Sequence, residues 1–245
     1  MFVINRMTKN PMTVTADTKV DEVAHLMKKH NFRRLPVVDD GKLVGFLSDS
    51  DLMRVAPSPA TTLSRYEINS LLAKICVRDI MKKDVVSVNV DATIEEAALI
   101  MYKNKIGGMP VVSNMGAVVG VITETDIFKT FVDVMGLADG KTRITLEVTD
   151  KIGVVKDIAE IFGQAGVSID SLITCKKEDN KYEIVIRGDI TNIDDIKAKL
   201  EAKGYKVIHT VKIGWFIKIK RQDMYSAFFW SFKINDKRNK IWSKI

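Results

Sequence analysis

The stretch "RRLPVVDDGKLVGFLSDSDLM" (residues 33–53) contains two apolar runs joined by an Asp-Asp-Gly-Lys turn, followed by a junction rich in hydroxyls and carboxylates. Short apolar runs around an Asp-Gly pair are typical of a β-hairpin. Ser and Asp after such a hairpin are typical of a helix start. The stretch therefore predicts strand, turn, strand and helix, with Arg33 and Arg34 at one end and Ser48 to Asp51 at the other. We expect both ends to face one cleft.

The same pattern occurs twice in the first half of the chain. Residues 6–38 align without a gap with residues 80–112, and after one inserted residue "GKLVGFLSDSDL" aligns with "GAVVGVITETDI". Asp51 of the first copy thereby aligns with Asp126 of the second. An internal repeat of this length indicates one structural unit used twice.

Each copy predicts the order β-α-β-β-α. A short strand (MTVT or VVSV) precedes an Asp-x-Thr helix cap, and the first helix has apolar residues at helical spacing at Val20, Val23, Ala24 and Met27. The hairpin and a closing helix follow. Because one such unit leaves a sheet face uncovered, we expect the two copies to pack together and to form two related clefts.

The order and spacing of these motifs resemble a tandem pair of CBS domains over residues 1–135. In that family, a Gly-x-x-Thr/Ser-x-x-Asp pattern after the third strand contributes to a site for adenosine-containing ligands. The pattern stands here at Gly45 to Asp51 and at Gly120 to Asp126. The resemblance implies an adenine nucleotide (AMP, ADP or ATP) or S-adenosylmethionine as a regulatory ligand, with no required cofactor.

The two junctions have the residue types that hold a nucleotide. A hydroxyl and free backbone N–H groups at a helix start favour a phosphate, and a carboxylate one turn later accepts hydrogen bonds from both hydroxyls of a ribose. Ser48 and Thr123 are therefore expected near phosphate, and Asp51 and Asp126 near ribose. The remaining predicted nucleotide-binding positions are strand ends around an adenine ring (Thr13, Leu35, Pro36, Ser87, Met109 and Pro110) and two cationic donors for phosphate (Arg33 and Arg34).

Two interpretations of these positions stay open. Ser, Thr and Asp at a strand-to-helix junction also act as ordinary helix caps, although their recurrence in both copies favours binding. Arg33 and Arg34 are also typical of a solvated strand end, and the second copy has Gly107 and Gly108 at the equivalent positions. The two clefts are thus unequal, and we expect at least one of them to bind phosphate poorly.

Residues 142–212 follow a different pattern, alternating strand and helix in the order βαββαβ. This order describes a ferredoxin-like fold with four antiparallel strands under two helices. With Asp-x-x-Gly after its first strand, the segment resembles an ACT domain, which implies amino-acid binding at Asp150, Gly153 and Val154, or dimerisation through this domain. Ile152 stands where a proline is usual, which leaves the loop less rigid and keeps both roles open.

The whole chain predicts an α+β (mixed α/β) fold and resembles acetoin-utilisation-type proteins, which join a CBS pair to an ACT domain. The expected segments are CBS repeat 1 (1–54), a linker helix capped by Ser64 (55–76), CBS repeat 2 (77–135), a hinge (136–141), the ACT domain (142–212) and a tail (213–245). The expected function is regulation through ligand sensing by a homodimer, with the ACT domain as amino-acid sensor or dimerisation module.

The chain lacks the sequence motifs of catalysis and metal binding. It has no GxxxxGK[ST] loop, no HExxH and no nucleophile elbow, and Cys76 and Cys175 lie far apart without CxxC spacing. No apolar stretch reaches the length that spans a bilayer, and the amino terminus lacks a signal-peptide pattern. We therefore expect a cytoplasmic protein that is not an enzyme and has neither catalytic nor metal-ligating residues.

The net charge of +7 arises near the carboxy terminus. Nine of the 38 Lys and Arg residues but two of the 31 Asp and Glu residues fall in residues 211–245, as do all three tryptophans. A basic aromatic segment is typical of an interfacial membrane anchor, a nucleic-acid contact, a partner-binding segment or sequence foreign to the domain pair. The alternative function is therefore an interaction protein that acts through residues 213–245 on nucleic acid, a membrane surface or a partner protein.

Overall fold

The computed structural model describes residues 1–55, 64, 67, 70, 73–137 and 141–212. The chain divides into two compact units, Met1–Thr130 and Phe131–Ile245. Most of the predicted linker helix, the centre of the predicted hinge and the whole predicted tail lie outside the described residues. Within the linker, Ser64 N and Oγ both donate to Glu67 Oε2 at 2.7 Å, as expected of the predicted cap.

The first unit contains the two predicted repeats. Its elements are β1 (Thr8–Lys9), α1 (Val20–His30), β2 (Arg34–Asp39), β3 (Lys42–Ser48), α2 (Asp49–Val55), α3 (Val77–Ile80), β4 (Val88–Asn89), α4 (Ile94–Asn104), β5 (Gly108–Val112), β6 (Val118–Thr123) and the first part of α5 (Glu124–Val134), whose last four residues belong to the second unit. The hairpins β2–β3 and β5–β6 are antiparallel, and both have a register shift at the same point, after Val37 and after Val111. The two copies therefore repeat each other down to the irregularity of their hairpins.

The opening segment of each repeat joins the sheet of the other repeat. Strand β1 pairs with β6, which gives the sheet order β1-β6-β5-β4. In the reciprocal position, Phe46 of β3 and Lys82 exchange two backbone hydrogen bonds of 3.0 Å. The repeats are thus bound to each other through backbone pairing.

Each repeat has its own hydrophobic core. The first core consists of residues from the segment before α1, from α1 and from the hairpin of the first repeat, together with one residue of α3 (Val14, Ala16, Val23, Met27, Leu35, Val37, Leu47 and Val77). The second consists of the equivalent residues of the second repeat together with Val3 (Val3, Val88, Ile94, Ala97, Met101, Met109, Val111 and Ile122). Burial of one such large side chain contributes about 1.5–3 kcal/mol. The cores therefore fix the hairpins, and with them the strand-to-helix junctions.

Helix α4 begins with the predicted cap, but α1 does not. The Thr93 hydroxyl accepts a hydrogen bond from Glu96 N at 3.2 Å, and the Glu96 carboxylate accepts one from Thr93 N at 2.7 Å. The residue that caps α1 is Lys19, whose side chain makes no cap bond. Instead, Val20 N donates to the carbonyl of Ile75 at 3.0 Å. The prediction of an Asp-x-Thr cap in both copies is wrong for the first, because its cap position holds a lysine.

The second unit has the predicted βαββαβ order. Its elements are β7 (Thr142–Thr149), α6 (Val154–Gln164), β8 (Ile169–Lys176), β9 (Lys181–Gly188), α7 (Ile193–Ala202) and β10 (Lys206–Lys212). The four antiparallel strands lie in the order β10-β7-β9-β8. Alternate residues of β7 and β9 pack against one face of each helix to form a single core (Ile144, Leu146, Ile158, Phe162, Ile184, Ile186, Ile196 and Leu200).

Helix α6 ends as its sequence predicts. Its last residue is Gln164, and Gly166 follows with a φ of +68°, a conformation that glycine adopts without strain. None of the helices in the described parts of the chain is long and apolar enough to cross a membrane. Across the same residues, no three His, Cys, Asp or Glu side chains gather as they would around a metal ion.

Candidate functional site

Both strand-to-helix junctions of the first unit have the same hydrogen-bond geometry. At the start of α2, Ser48 N and Oγ donate to Asp51 Oδ2 at 2.9 and 2.5 Å. At the start of α5, Thr123 N and Oγ1 donate to Asp126 Oδ2 at 2.8 and 2.7 Å. Each carboxylate therefore holds the first turn of its helix, as the helix-cap interpretation predicts.

The capping bonds do not use all the hydrogen-bond acceptor positions of these carboxylates. A carboxylate has about four acceptor positions over its two oxygens. Both bonds from Thr123 end on the same oxygen of Asp126, Oδ2. The second oxygen has the chemistry to accept the hydroxyls of a ribose. The cap and the ligand interpretations are therefore compatible at one residue.

The two junctions differ in exposure. Asp51 is 4% exposed, and its Oδ1 lies 3.4 Å from Nη1 of Arg54 in the same helix. Asp126 is half-buried and lines a cavity of about 250 Å³. The carboxylate of the second repeat is therefore accessible to a ligand, whereas the carboxylate of the first is covered and paired.

The cavity lies between the two repeats. One wall comes from the start of β2 in the first repeat, with Arg33, Arg34 and Leu35. The facing wall comes from the junction of the second repeat, with Thr123 and Asp126. The remaining lining residues come from the amino-terminal segment, the end of α1 and the second repeat (Thr8, Pro11, Met12, Asn31, Phe32, Val121 and Thr125). Cationic, hydroxyl, carboxylate and apolar groups thus meet in one space.

The expectation that both ends of the first hairpin face one cleft is only half right. Arg34 does pair in register with Ser48, and Asp49 N donates to the Arg33 carbonyl at 3.0 Å, so the two ends are adjacent. The cavity that Arg33 and Arg34 line, however, contains Asp126 of the second repeat. The antiparallel hairpin brings its own ends together, but packing of the repeats decides which helix start the arginines face.

The predicted nucleotide-binding residues fall into two groups. Those lining the cavity are Arg33, Arg34, Leu35, Thr123 and Asp126. The others lie outside its lining, either buried in strands or junctions or along the first strand segments (Thr13, Pro36, Ser48, Asp51, Ser87, Met109 and Pro110). Sequence reasoning missed Thr8 and Pro11, because nothing in a two-residue strand signals that it crosses to the other repeat. It also missed Thr125, although this residue belongs to the Thr-Glu-Thr-Asp junction that the repeat had marked.

A second cavity lies in the second unit, at the predicted amino-acid site. It has a volume of about 320 Å³, and all three predicted residues, Asp150, Gly153 and Val154, line it. Gly153 begins α6 with a φ of +98°, which favours glycine. Ile152 is fully exposed beside it. Two lysines, a threonine pair and a tyrosine complete the polar lining (Lys151, Lys156, Thr149, Thr174 and Tyr182).

Two family models match the chain, one over each of the two repeats and the other over the βαββαβ segment of the second unit. The model described as CBS domain matches residues 3–58 and 77–133, and the model described as ACT domain matches residues 142–204. The ranges contain both strand-to-helix junctions and the loop at Gly153.

Two curated relatives are matched over nearly their whole length. The uncharacterized protein MJ1426 of Methanocaldococcus jannaschii is 31% identical over 157 residues, which cover 54% of this chain and 92% of the relative. The CBS domain-containing protein DDB_G0289609 of Dictyostelium discoideum is 31% identical over 136 residues, which cover 55% of this chain and 94% of the relative. Longer relatives are matched only in part: the chain spans 45% of MJ1225 and 22% of the L-aspartate semialdehyde sulfurtransferase of the same archaeon.

Solved structures of CBS pairs are similar over the same half of the chain. A protein described as an acetoin utilization protein (AcuB) from Vibrio cholerae is 31% identical, with a TM-score of 0.46, over 57% of this chain and 96% of that chain. The CBS domain pair of protein MJ0100, solved with 5′-methylthioadenosine and S-adenosyl-L-methionine, is 29% identical, with a TM-score of 0.46, over 54% of this chain and 97% of that chain. Two relatives are at least 30% identical and are matched over nearly their whole length, and the two family models match the expected ranges. This chain therefore belongs to the CBS-domain family and carries a tandem CBS pair followed by an ACT domain.

Proposed function

We propose that this protein is a non-enzymatic regulator that senses an adenosine-containing ligand in the cavity between its two CBS repeats. The observation that carries the proposal is the meeting of Arg33 and Arg34 with Thr123 and Asp126 in one cavity, although they come from different repeats. These are the groups that a nucleotide requires: cations and a hydroxyl for phosphate, and a carboxylate for ribose.

Each group has a defined part in this proposal. Asp126 accepts the ribose hydroxyls while its Oδ2 keeps the cap bonds from Thr123. The Thr123 hydroxyl and the first turn of α5 face the phosphate, where free N–H groups and the helix dipole favour negative charge. Leu35 and Met12 give the apolar surface against which a base packs. The junction at Ser48 and Asp51 forms the equivalent but less accessible position.

The regulatory step follows from the position of the cavity. Its walls belong to different repeats, so a ligand bound there contacts both. A ligand shifts a conformational equilibrium only by the difference between its affinities for the two arrangements. A ligand that bridges Arg33 and Asp126 favours one arrangement of the repeats, and that preference is the signal.

Isothermal titration calorimetry of the full chain against AMP, ADP, ATP and S-adenosylmethionine tests the proposal. We expect at least one of these compounds to bind, and Asp126→Ala to weaken that binding by roughly tenfold or more, the effect of one hydrogen bond to a charged group. Asp51→Ala is the matched control, because it removes the same cap from the less accessible junction. Recovery of the nucleotide chemically unchanged after long incubation is expected of a sensor.

Two results would overturn the proposal. One is the absence of binding for all four compounds by a protein whose circular dichroism and melting temperature show it to be folded. The other is an Asp126→Ala variant that binds as tightly as the native chain. If only Asp51→Ala weakened binding, the ligand would occupy the first junction, and the assignment of the cavity would fall.

The second cavity supports a further candidate function, amino-acid sensing by the ACT domain. The observation that favours it is the meeting of the three predicted residues with Lys151 and Lys156, whose ammonium groups suit a carboxylate. Thermal shift with the twenty amino acids tests this function, since a ligand of the native state raises the melting temperature. Gly153→Ala, which strains the loop, is expected to remove that shift.

The proposed homodimer is tested separately. In the sheet order β10-β7-β9-β8, strands β8 and β10 are the edges, and an edge strand has unpaired backbone groups that a second copy pairs with. Light scattering after size exclusion is expected to give twice the chain mass of 27.5 kDa. A mass of one chain at micromolar concentration would contradict this proposal.

A further inference from the structure

The sheet of the second unit has a second face, opposite the one that packs against α6 and α7. Because successive residues of a strand point to opposite faces, the residues between the core positions of β7 and β9 belong to this second face. They include Arg143 and Thr145 of β7 and Val185 and Arg187 of β9. Arg143 lies directly opposite Arg187, and Thr145 lies opposite Val185. The second face therefore brings two guanidinium groups and a hydroxyl together on adjacent strands.

Two of these polar side chains are buried without a hydrogen-bond partner for atoms that need one. Arg187 is 5% exposed and Thr145 is 2% exposed. Over the described residues, Nε and Nη1 of Arg187 and Oγ1 of Thr145 have no partner. The two residues are diagonal neighbours across β7 and β9, at a separation of roughly 7–8 Å that a long side chain spans. Buried polar groups without partners are rare in folded proteins, and a bound ion is one of the partners that satisfy them.

The carboxylates of this sheet are engaged with other cations. Among the described residues, three of them each pair with at least one cation other than Arg187 (Glu147 with Lys181 and Lys206, Glu183 with Lys177 and Arg143, and Asp170 with Lys141). Asp170 is next in sequence to Ser171, the residue opposite Arg187 on β8, yet its Oδ2 lies 3.5 Å from Lys141 Nζ. With Arg187, this group has six cations and three carboxylates, an excess of three positive charges.

The pKa of Arg187 agrees with this charge balance. Burial, and then the neighbouring Arg143, lower the pKa of the Arg187 guanidinium. This is the direction expected of a buried cation that no carboxylate compensates. An anion beside Arg187 would reverse both effects.

The second face is covered at its centre and open at one edge. On the edge strand β10, His209 lies opposite Thr145 and Val211 lies opposite Arg143, and both β10 residues are exposed. The Arg143 side chain is 27% exposed. The open edge therefore leads past Arg143 to Arg187, and the covered centre suits a small anion.

We propose that Arg187, Arg143 and Thr145 form a site for a doubly charged oxyanion, a phosphate or sulfate group, on the second face of the ACT sheet. Planar guanidinium groups match the oxygens of such a group, and the Thr145 hydroxyl donates to a further oxygen. The excess of positive charge favours two negative charges over the single charge of a carboxylate. None of the three residues lines the cavity between the repeats or the one at Gly153, so the inference goes beyond the proposed function.

Hydrogen exchange of the full chain tests the site at the strands that form it. Inorganic phosphate, sulfate and acetate are each compared with chloride at the same ionic strength. Phosphate and sulfate are expected to slow exchange of the β7 and β9 amides, and acetate is not. Glycerol phosphate distinguishes the two sources of the group: protection by it as well as by phosphate indicates a phosphate ester, and protection by phosphate alone indicates the free ion.

Two variants test the assigned residues. Arg187→Met is expected to abolish the protection by phosphate, and Thr145→Val, which keeps the shape of the side chain, to weaken phosphate binding by about tenfold, the effect of one hydrogen bond to a charged group. Lys197→Met is the matched control, because it removes one exposed charge from α7, which packs on the other face of the sheet. A melting temperature in chloride no lower than that of the native chain shows that a variant is folded.

The outcomes separate this site from the nucleotide cavity. Asp126→Ala is expected to leave the protection of β7 and β9 unchanged, and loss of the protection in this variant would assign the anion to the cavity between the repeats. Equal exchange in phosphate, sulfate and chloride overturns the proposal, as does full protection by phosphate in both Arg187→Met and Thr145→Val. Equal protection by acetate overturns the preference for a doubly charged group. None of these results depends on whether a nucleotide binds.

Discussion

The side chain of Met7, in the first repeat, lies against the α-carbon of Gly120 in the second, and Met81 lies against Gly45 in the same way. These contacts mark the two places where the opening segment of one repeat joins the sheet of the other. A β-carbon at Gly120 would overlap Met7 Sδ and lie 3.0 Å from its Cγ. The opening segment of the first repeat therefore approaches this strand closely only because Gly120 has no side chain.

The first prediction concerns this contact. Gly120→Ala is expected to destabilise the first unit by about 1–3 kcal/mol, the usual effect of an added methyl in a packed site. Because the clash is with a flexible side chain, Met7→Ala in the same chain is expected to restore part of the loss. Urea unfolding of the single and double variants measures both effects. Equal stability of Gly120→Ala and the native chain would contradict the prediction and would show that the Met7 side chain moves aside without cost.

The second prediction concerns the uncapped helix α1. Lys19→Thr places a cap residue three positions before Glu22, which repeats the Thr93 and Glu96 arrangement of α4. The variant is expected to stabilise the first unit by about 1 kcal/mol. Hydrogen exchange of the α1 amides is the local readout, and slower exchange is expected there. Lys19→Ala is the control: if it protects α1 equally, removal of the lysine and not the new cap is responsible.

Much of the fold follows from the sequence because the signals are local. The Asp-Asp-Gly turn and the apolar runs around it predict β2 and β3, and the helical spacing of Val20, Val23 and Met27 predicts the buried face of α1. The second unit is predicted correctly for the same reason, since each strand and helix has its own pattern. Duplication adds a second instance of most of these signals in the first unit.

The site is predicted less completely because it depends on contacts between distant segments. The residue types at Thr123 and Asp126 indicate a ligand junction, but only packing of the repeats shows that Arg34 faces this junction rather than its own at Ser48. The role of Gly107 is likewise not evident from the sequence, which shows only that the second repeat has a glycine where the first has Arg33. In the structure, the absence of a side chain at Gly107 leaves room for the guanidinium of Arg34 from the first repeat.

The third prediction concerns pH. The Tyr205 hydroxyl donates to Asp157 Oδ2 at 2.6 Å, and Tyr205 is 3% exposed. Burial, and then the hydrogen bond with Asp157, raise the pKa of Tyr205 to about 12. The hydrogen bond from Tyr205, more than nearby lysines, lowers the pKa of Asp157. The tyrosine therefore favours folding fully below about pH 10, its unfolded pKa, and loses that effect as pH rises toward 12.

Asp157 acts at the opposite end of the pH range. Its stabilising effect is present above its unfolded pKa, about 4, and is lost as pH falls. Tyr205→Phe is expected to lower the melting temperature at pH 7 and to flatten its dependence on pH between about 10 and 12. Absorbance of tyrosinate is expected to lose one late-titrating group in the variant. If the melting temperature of Tyr205→Phe fell between about pH 10 and 12 as steeply as that of the native chain, the loss of stability at alkaline pH would be due to other residues.

The fourth prediction concerns a buried charge in the second unit. Arg187 on β9 is 5% exposed, and neither its Nε nor its Nη1 has a hydrogen-bond partner in the part of the chain that the structure describes. Burial and the neighbouring Arg143, which lies opposite it on β7, lower the pKa of Arg187. An unpaired cation at this depth opposes folding, whereas an apolar side chain of similar length does not.

Arg187→Met is therefore expected to stabilise the second unit by about 1 kcal/mol or more, since replacing buried charges with apolar groups is often stabilising. Differential scanning calorimetry at pH 7 measures the change as a rise in melting temperature. Arg187→Lys keeps the charge and is expected to give no such rise. A fall in melting temperature for Arg187→Met, together with an unchanged melting temperature for Arg187→Lys, would mean that the cation is paired in solution and would contradict this prediction.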